Sequence, residues 1–165
     1  MRAHLDSGEP YDRTAWQAMV EQGWTAVAVP EYQGGIGLGW VEVAILLAEV
    51  GRHTTAVPLL PTTVALAALS RDGNQAELVA RLAAGEAIGA VAWARSAEQV
   101  TVSGEDETLR LTGRLGPSEG VSVADVLVVV EPSGVHLVDL EAVGRPERQP
   151  AMDLTRSLSW VDLDA

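Results

Sequence analysis

The sequence predicts an α+β protein in which an amino-terminal helical array is followed by a small antiparallel β-barrel or sheet domain. Three observations predict it. Up to Ala87 the apolar residues recur at helical spacing in segments rich in Ala, Leu and Glu. From Ile88 onward the pattern changes to short β-rich runs broken by Gly, Pro, Asp and Ser. Strands never alternate with helices as they do in βαβ folds. With 165 residues, 47% of them hydrophobic and 21% charged, the chain can bury a core, and its division falls into residues 1–87 and 88–165.

The elements follow in order. Tyr11 to Gln22 reads as a helix capped by Asp12 and stopped by Gly23, with Ala15, Trp16, Met19 and Val20 on one face. Trp40 to Val50 reads as a second helix ended by Gly51, its Val43, Ile45, Leu46, Leu47 and Val50 predicting a large share of the core. Pro61 suits the first turn of a third helix through Leu69, and Asn74 suits the cap of a fourth that runs through Leu82 and stops at Gly85. Strands are expected at Ile88–Ala94, Gln99–Ser103, Thr108–Gly113, Val126–Glu131, Val135–Asp139 and Ser157–Leu163. Glu131 to Gly134 reads as a hairpin turn, and Gly104 to Glu107 as another whose tip Glu105, Asp106 and Glu107 is a solvated acidic run. With phenylalanine absent, the five tryptophans are expected to do much of the bulky packing.

Composition excludes several function classes. No cysteine means no disulfide, thiolate metal site or cysteine nucleophile. Asp and Glu number 23 against 11 arginines and no lysine, a net charge of −12 that repels phosphate backbones and anionic lipid, so neither nucleic acid nor a membrane is an expected partner. No run approaches the roughly 18 apolar residues of a membrane span, and residues 1–10 lack the apolar stretch of a signal peptide, which predicts a soluble cytoplasmic protein. His4, His53 and His136 have no metal-ligand spacing, and no G-x-S-x-G elbow singles out a nucleophilic serine. The glycine-rich loop Val29-Pro30-Glu31-Tyr32-Gln33-Gly34-Gly35-Ile36-Gly37 invites a phosphate-binding reading. Its spacing is not G-x-G-x-x-G, Leu59 stands where a dinucleotide site needs an acid, and no Lys-Ser or Lys-Thr follows, so it reads as a structural turn with close backbone approach.

Gly23-Trp24, the block Pro30-Glu31-Tyr32-Gln33-Gly34-Gly35-Ile36-Gly37 and a helix ending Glu49-Val50-Gly51-Arg52 together resemble the amino-terminal domain of acyl-CoA dehydrogenases, which reads G-W, P-E-x-x-G-G-x-G and E-x-G-R in that order. Leu82-Ala83-Ala84-Gly85-Glu86 is similar to the L-x-x-G-E that precedes the family's middle β-domain. Asp153-Leu154-Thr155-Arg156 resembles a D-L-T-R segment of actinobacterial members, some of which act in steroid and lipid breakdown. The resemblance implies an FAD-dependent α,β-dehydrogenation of an acyl-CoA thioester. It also implies a carboxy-terminal helical domain that helps bind flavin and carries the glutamate base; this chain reaches only near the end of the β-domain, so no catalytic residue is assigned, and the histidine spacing assigns no metal ligand.

The flavin motifs depart from the family. Ala92-Trp93-Ala94-Arg95-Ser96 stands where the family has A-x-T-E-P, and residues 113–125 align with G-T-K-x-W-I-T-N-A-x-x-A-D while matching only Gly113, Ala124 and Asp125. Pro117 takes the place of the tryptophan that packs on the flavin and Glu119 that of the threonine that hydrogen-bonds it. Trp93, Ser96, Pro117 and Glu119 are therefore the aligned cofactor-facing positions. Their alternative reading is ordinary β-domain structure, with Trp93 in the core. The expectation is a non-catalytic or half-site subunit, or a fragment, that depends on a catalytic acyl-CoA dehydrogenase subunit or on self-association, with FAD supplied by or shared with that partner. A flavin-free acyl-thioester-binding or scaffold protein on the same fold is the other reading.

Overall fold

A computed structural model describes residues 8–96, 99–104 and 109–164. His4 and the acidic tip at Glu105, Asp106 and Glu107 lie outside them. Helices α1 (Arg13–Glu21), α2 (Trp40–Arg52), α3 (Leu59–Asp72) and α4 (Ala76–Ala83) precede strands β1 (Gly89–Trp93), β2 (Val100–Ser103), β3 (Arg110–Glu119), β4 (Val126–Glu131), β5 (Gly134–Asp139) and β6 (Leu158–Asp164), with a one-turn helix at Leu140–Val143.

The strands form two three-stranded sheets, ordered β1-β4-β5 and β2-β3-β6, rather than a closed barrel. The second sheet is antiparallel, whereas β1 and β4 pair in parallel from Gly89 opposite Val126 to Trp93 opposite Val130. The composition of β4 explains its place. Val126-Leu127-Val128-Val129-Val130 is apolar at every position, the pattern of a strand buried on both faces. Leu127 and Val129, with Ala90 and Ala92 of β1, join a core shared with Leu111, Leu115, Val161 and Leu163 of the second sheet. Val126 and Val128, with Val91, meet Ala65, Leu66 and Leu69 of α3 and Val79, Leu82 and Ala83 of α4. The β1–β4 pair is thus the middle layer, with helices on one side and the second sheet on the other.

Local signals account for most boundaries. Asp12 caps α1, its carboxylate accepting the Ala15 N–H at 2.9 Å, and Gly23 turns the chain out at φ 75°. Trp16 is buried, with Met19 and Val20 packed beside it. Pro61 lies in the first turn of α3. Three expectations need correction. Helix α2 passes through Gly51 to Arg52, whose guanidinium meets Glu49 at 3.2 Å, because an exposed glycine weakens a helix without ending it. The cap of α4 is Gln75, one residue beyond Asn74. Strand β3 extends six residues past Gly113 to Glu119, absorbing Gly116 and Pro117 in an irregularity between Leu115 and Ser118 opposite β6.

The packing roles of α2 and the tryptophans also differ from expectation. Only Val43 of α2 is buried, while Val41 and Ile45 are 70% and 58% exposed. At 100° per residue Val41, Ala44, Ile45 and Ala48 form a stripe opposite Val43, so the helix is apolar on two sides and the described core takes only one. Of the five tryptophans only Trp16 is buried; Trp40, Trp93 and Trp160 are exposed.

The glycine-rich loop is a folded turn. The N–H groups of Gln33, Gly35, Ile36, Gly37 and Leu38 donate to the carbonyls of Pro30, Pro30, Ala26, Val29 and Val27, so these donors are committed within the turn rather than aimed at a phosphate. A Cβ on Gly35 would lie 2.0 Å from the Val29 carbonyl oxygen. Across the fold, the β4–β5 hairpin is locked by Glu131, whose buried carboxylate accepts from the Ser133 hydroxyl, the Ser133 N–H at 2.8 Å and His136 Nε2 at 2.9 Å. The Ser133 hydroxyl bond chiefly, then its N–H and His136, pull the Glu131 carboxyl down to about 2.

Two outcomes follow from these contacts. Gly35→Ala should cost about 1–3 kcal/mol, lowering the thermal midpoint by several degrees in a calorimetric scan, because backbone rather than a yielding side chain meets the new methyl. A depressed folded-state carboxyl stabilises the fold above its unfolded value near 4.5, and that contribution is lost as pH falls through about 2. Glu131→Gln should therefore flatten the thermal midpoint's dependence on pH between those two values; an unchanged acid limb would refute the assignment.

Candidate functional site

The carboxyl end of β3 is where the second sheet meets the helical layer. Leu111, Leu115 and Ser118 point inward and are buried, whereas Pro117 is exposed on the outer face and Glu119 is half-buried there. Beyond Glu119, Gly120 donates to the Ser157 carbonyl at 2.8 Å, and the Ser122 and Ser157 hydroxyls are hydrogen-bonded to each other. Glu119, Gly120, Thr155 and Ser157 face Ala56, Val57, Pro58 and Pro61 across a narrow crevice.

Arg156 closes this end. Its guanidinium donates to the Glu119 carboxylate and forms an ion pair with it. That hydrogen bond first, and then the carboxylate's charge, hold the guanidinium above its ordinary value. The loop that presents Arg156 is shaped by Asp153, whose Oδ1 accepts the Thr155 N–H at 2.9 Å and the Thr155 hydroxyl at 2.6 Å; these two bonds keep the Asp153 carboxyl below the usual range. Arg148 donates to the Leu154 and Arg156 carbonyls at 2.8 and 3.2 Å. The D-L-T-R segment is thus a clamp folded onto the end of β3, a role its spacing did not reveal because its partner lies 37 residues away.

The four aligned cofactor-facing positions do not converge. On β1, Ala90 and Ala92 turn toward the second sheet, so Trp93 shares the opposite, helix-side face with Val91. Trp93 is 58% exposed, which corrects the expectation of a core residue. Ser96 is exposed in the turn after β1, where its carbonyl accepts the Gln99 N–H at 3.2 Å and Gln99 Oε1 accepts the Arg95 N–H at 2.6 Å. Pro117 and Glu119 share the outer face of β3. A flavin ring needs a flat apolar surface and hydrogen-bond donors at its polar edge. Pro117 offers neither, and Glu119 is an acceptor already engaged by Arg156. These residues do not fit the group.

Other family-like residues are structural. Asp125 Oδ2 accepts the Ile88 N–H at 2.7 Å and Asp125 pairs with Arg145, joining the starts of β1 and β4. Gly85 adopts φ +69°, and a Cβ there would lie 2.3 Å from Val20. Missed by sequence reasoning is Arg114, which pairs with Asp162 at 3.3 Å and lies 4.9 Å over the Trp160 ring on the outer face of the second sheet. Only the register of β3 with β6 brings them together.

The Arg156 clamp is exposed enough to be energetically modest, about 0–1 kcal/mol. Arg156→Ala should therefore barely move the thermal midpoint yet speed amide hydrogen exchange at Gly120 and residues 155–157, and unchanged exchange there would show that the loop holds without it.

Residues 1–86 match the family described as acyl-CoA dehydrogenase, N-terminal domain. Acyl-CoA dehydrogenase IpdE2 of Mycolicibacterium smegmatis is 29% identical over 162 residues, covering 98% of this chain and 44% of the relative. Two solved structures cover 99% of this chain. One is the Tcur3481-Tcur3483 steroid ACAD, at 30% identity and a TM-score of 0.84, with 49% of that chain covered. The other is the ChsE4-ChsE5 complex from Mycobacterium tuberculosis, at 26% identity and a TM-score of 0.83, with 48% covered. The chain spans less than half the length of each of these relatives.

Proposed function

The chain belongs to the acyl-CoA dehydrogenase family, and on that premise we propose that it is a non-catalytic or half-site component of a heteromeric complex that α,β-dehydrogenates an acyl-CoA thioester. The observation that carries this reading is the Arg156–Glu119 pair beside Pro117. Where the family resemblance calls for a ring surface and a neutral donor, this chain has a pyrrolidine and a carboxylate already committed to an arginine. FAD would then be held by residues of the partner, and the residues of this chain would frame the site by fixing the ends of β3 and β6.

Two further facts support a partner. The solved relatives that cover 99% of this chain include proteins whose names pair two components, Tcur3481-Tcur3483 and ChsE4-ChsE5. The second apolar stripe of α2, with Tyr32 83% exposed nearby, is the kind of surface that association covers. A complex whose partner contributes the flavin and the base accounts for both the family-like scaffold of turns and caps and the altered flavin positions.

Steady-state assay with an artificial electron acceptor tests the reading. The chain purified alone should give no acyl-CoA-dependent reduction. Co-expression with a full-length flavin-carrying family member should give a complex that turns over, and Ile45→Glu should weaken that association roughly tenfold without altering the circular dichroism of the chain. Turnover by the isolated chain would overturn the proposal.

A further inference from the structure

We propose that the cleft between the glycine-rich turn, α2 and α3 is a binding site for an amphipathic monocarboxylate, separate from the Glu119 crevice. The cleft encloses about 400 Å³, within the range of small-molecule sites. Its body is apolar and aromatic, formed by Trp24, Val29, Tyr32, Trp40, Val43 and Leu66. Its polar end is gathered at the last turn of α3. There Ser70 Oγ is buried without a hydrogen-bond partner. Arg71 lines the same end, exposed and with no ion-pair partner among the described residues.

The chemistry of these groups selects the ligand. A buried hydroxyl left without a partner is a cost that a bound acceptor removes. A guanidinium lining the same cleft favours an anionic oxygen over a neutral one, and its planar fork suits a carboxylate. The apolar walls then require that the carboxylate be attached to a hydrocarbon body. Ser70 Oγ–H and Arg71 would each donate to the carboxylate. The cleft involves none of the residues at the end of β3 and shares only Tyr32 with the surface proposed for association, so ligand binding by the isolated chain is read separately from the dehydrogenase role.

Trp24 and Trp40 line the cleft and report on it. Titration of the isolated chain with decanoate should change tryptophan fluorescence saturably, and decan-1-ol should bind roughly tenfold more weakly or less. Arg71→Ala should weaken decanoate binding by a similar factor while leaving decan-1-ol binding unchanged, the split that a purely structural arginine would not produce. Ala67→Leu, which fills the cleft from α3, should abolish both signals, with the thermal midpoint monitored to confirm that the variant is folded. Absence of saturable decanoate binding would overturn the proposal. So would equal affinity for the alcohol and the acid, or binding that survives both variants in folded protein.

Discussion

Everything in this fold hangs from the parallel pairing of β1 with β4. Two strands burying both faces need a partner layer on each side, and the chain supplies α3 and α4 on one and β2, β3 and β6 on the other. The start of that pair is pinned by polar contacts. Asp125 receives the Ile88 amide, and Thr62 of α3 exchanges hydrogen bonds of 3.3 Å with the N–H and C=O of Gly89. A third layer is then positioned with little freedom, because Leu127 and Val129 meet Leu111, Leu115, Val161 and Leu163 directly. The end of β3, and with it Pro117 and Glu119, is placed by this stack rather than by its own local sequence.

The same stack explains how a family scaffold can persist while residues on its outer face change. The blocks that mark the family are folding devices: Gly23 releases the chain from α1, Gly35 lets the turn touch Val29, Glu49 and Arg52 finish α2, and Gly85 clears Val20. The outer face of β3 carries no part of the core, so Pro117 and Glu119 can depart from the flavin pattern at small cost in stability, and the Arg156 clamp satisfies the new carboxylate. On the proposed reading, what the departure removes is a surface for the cofactor.

Much of the fold was legible because its signals are local. Asp12, Gly23 and Pro61 announce helix boundaries through their own backbone and side-chain chemistry, and the uninterrupted apolar run of β4 announces a strand. The parallel partner of that strand was not legible, since β1 and β4 lie more than thirty residues apart in sequence and nothing in either names the other. Burial of α2 was misjudged for a different reason. Periodicity reports that a helix has apolar faces; it does not report how many of them the same chain covers. At the site, Pro117 and Glu119 could be singled out only because a resemblance supplied the pattern they break, and the Arg156 contact that completes the picture depends on a loop folding back across 37 residues.

The central claim is that this chain presents a dehydrogenase scaffold without a flavin surface of its own. The most direct measurement is the visible absorption spectrum of the chain purified alone from cells supplied with riboflavin, with flavin quantified after denaturation. The account predicts no flavin band and only trace release. A stoichiometric flavin that stays with the chain through gel filtration would contradict it, and would mean that the outer face of β3 accepts a ring in spite of Pro117 and the Glu119–Arg156 pair.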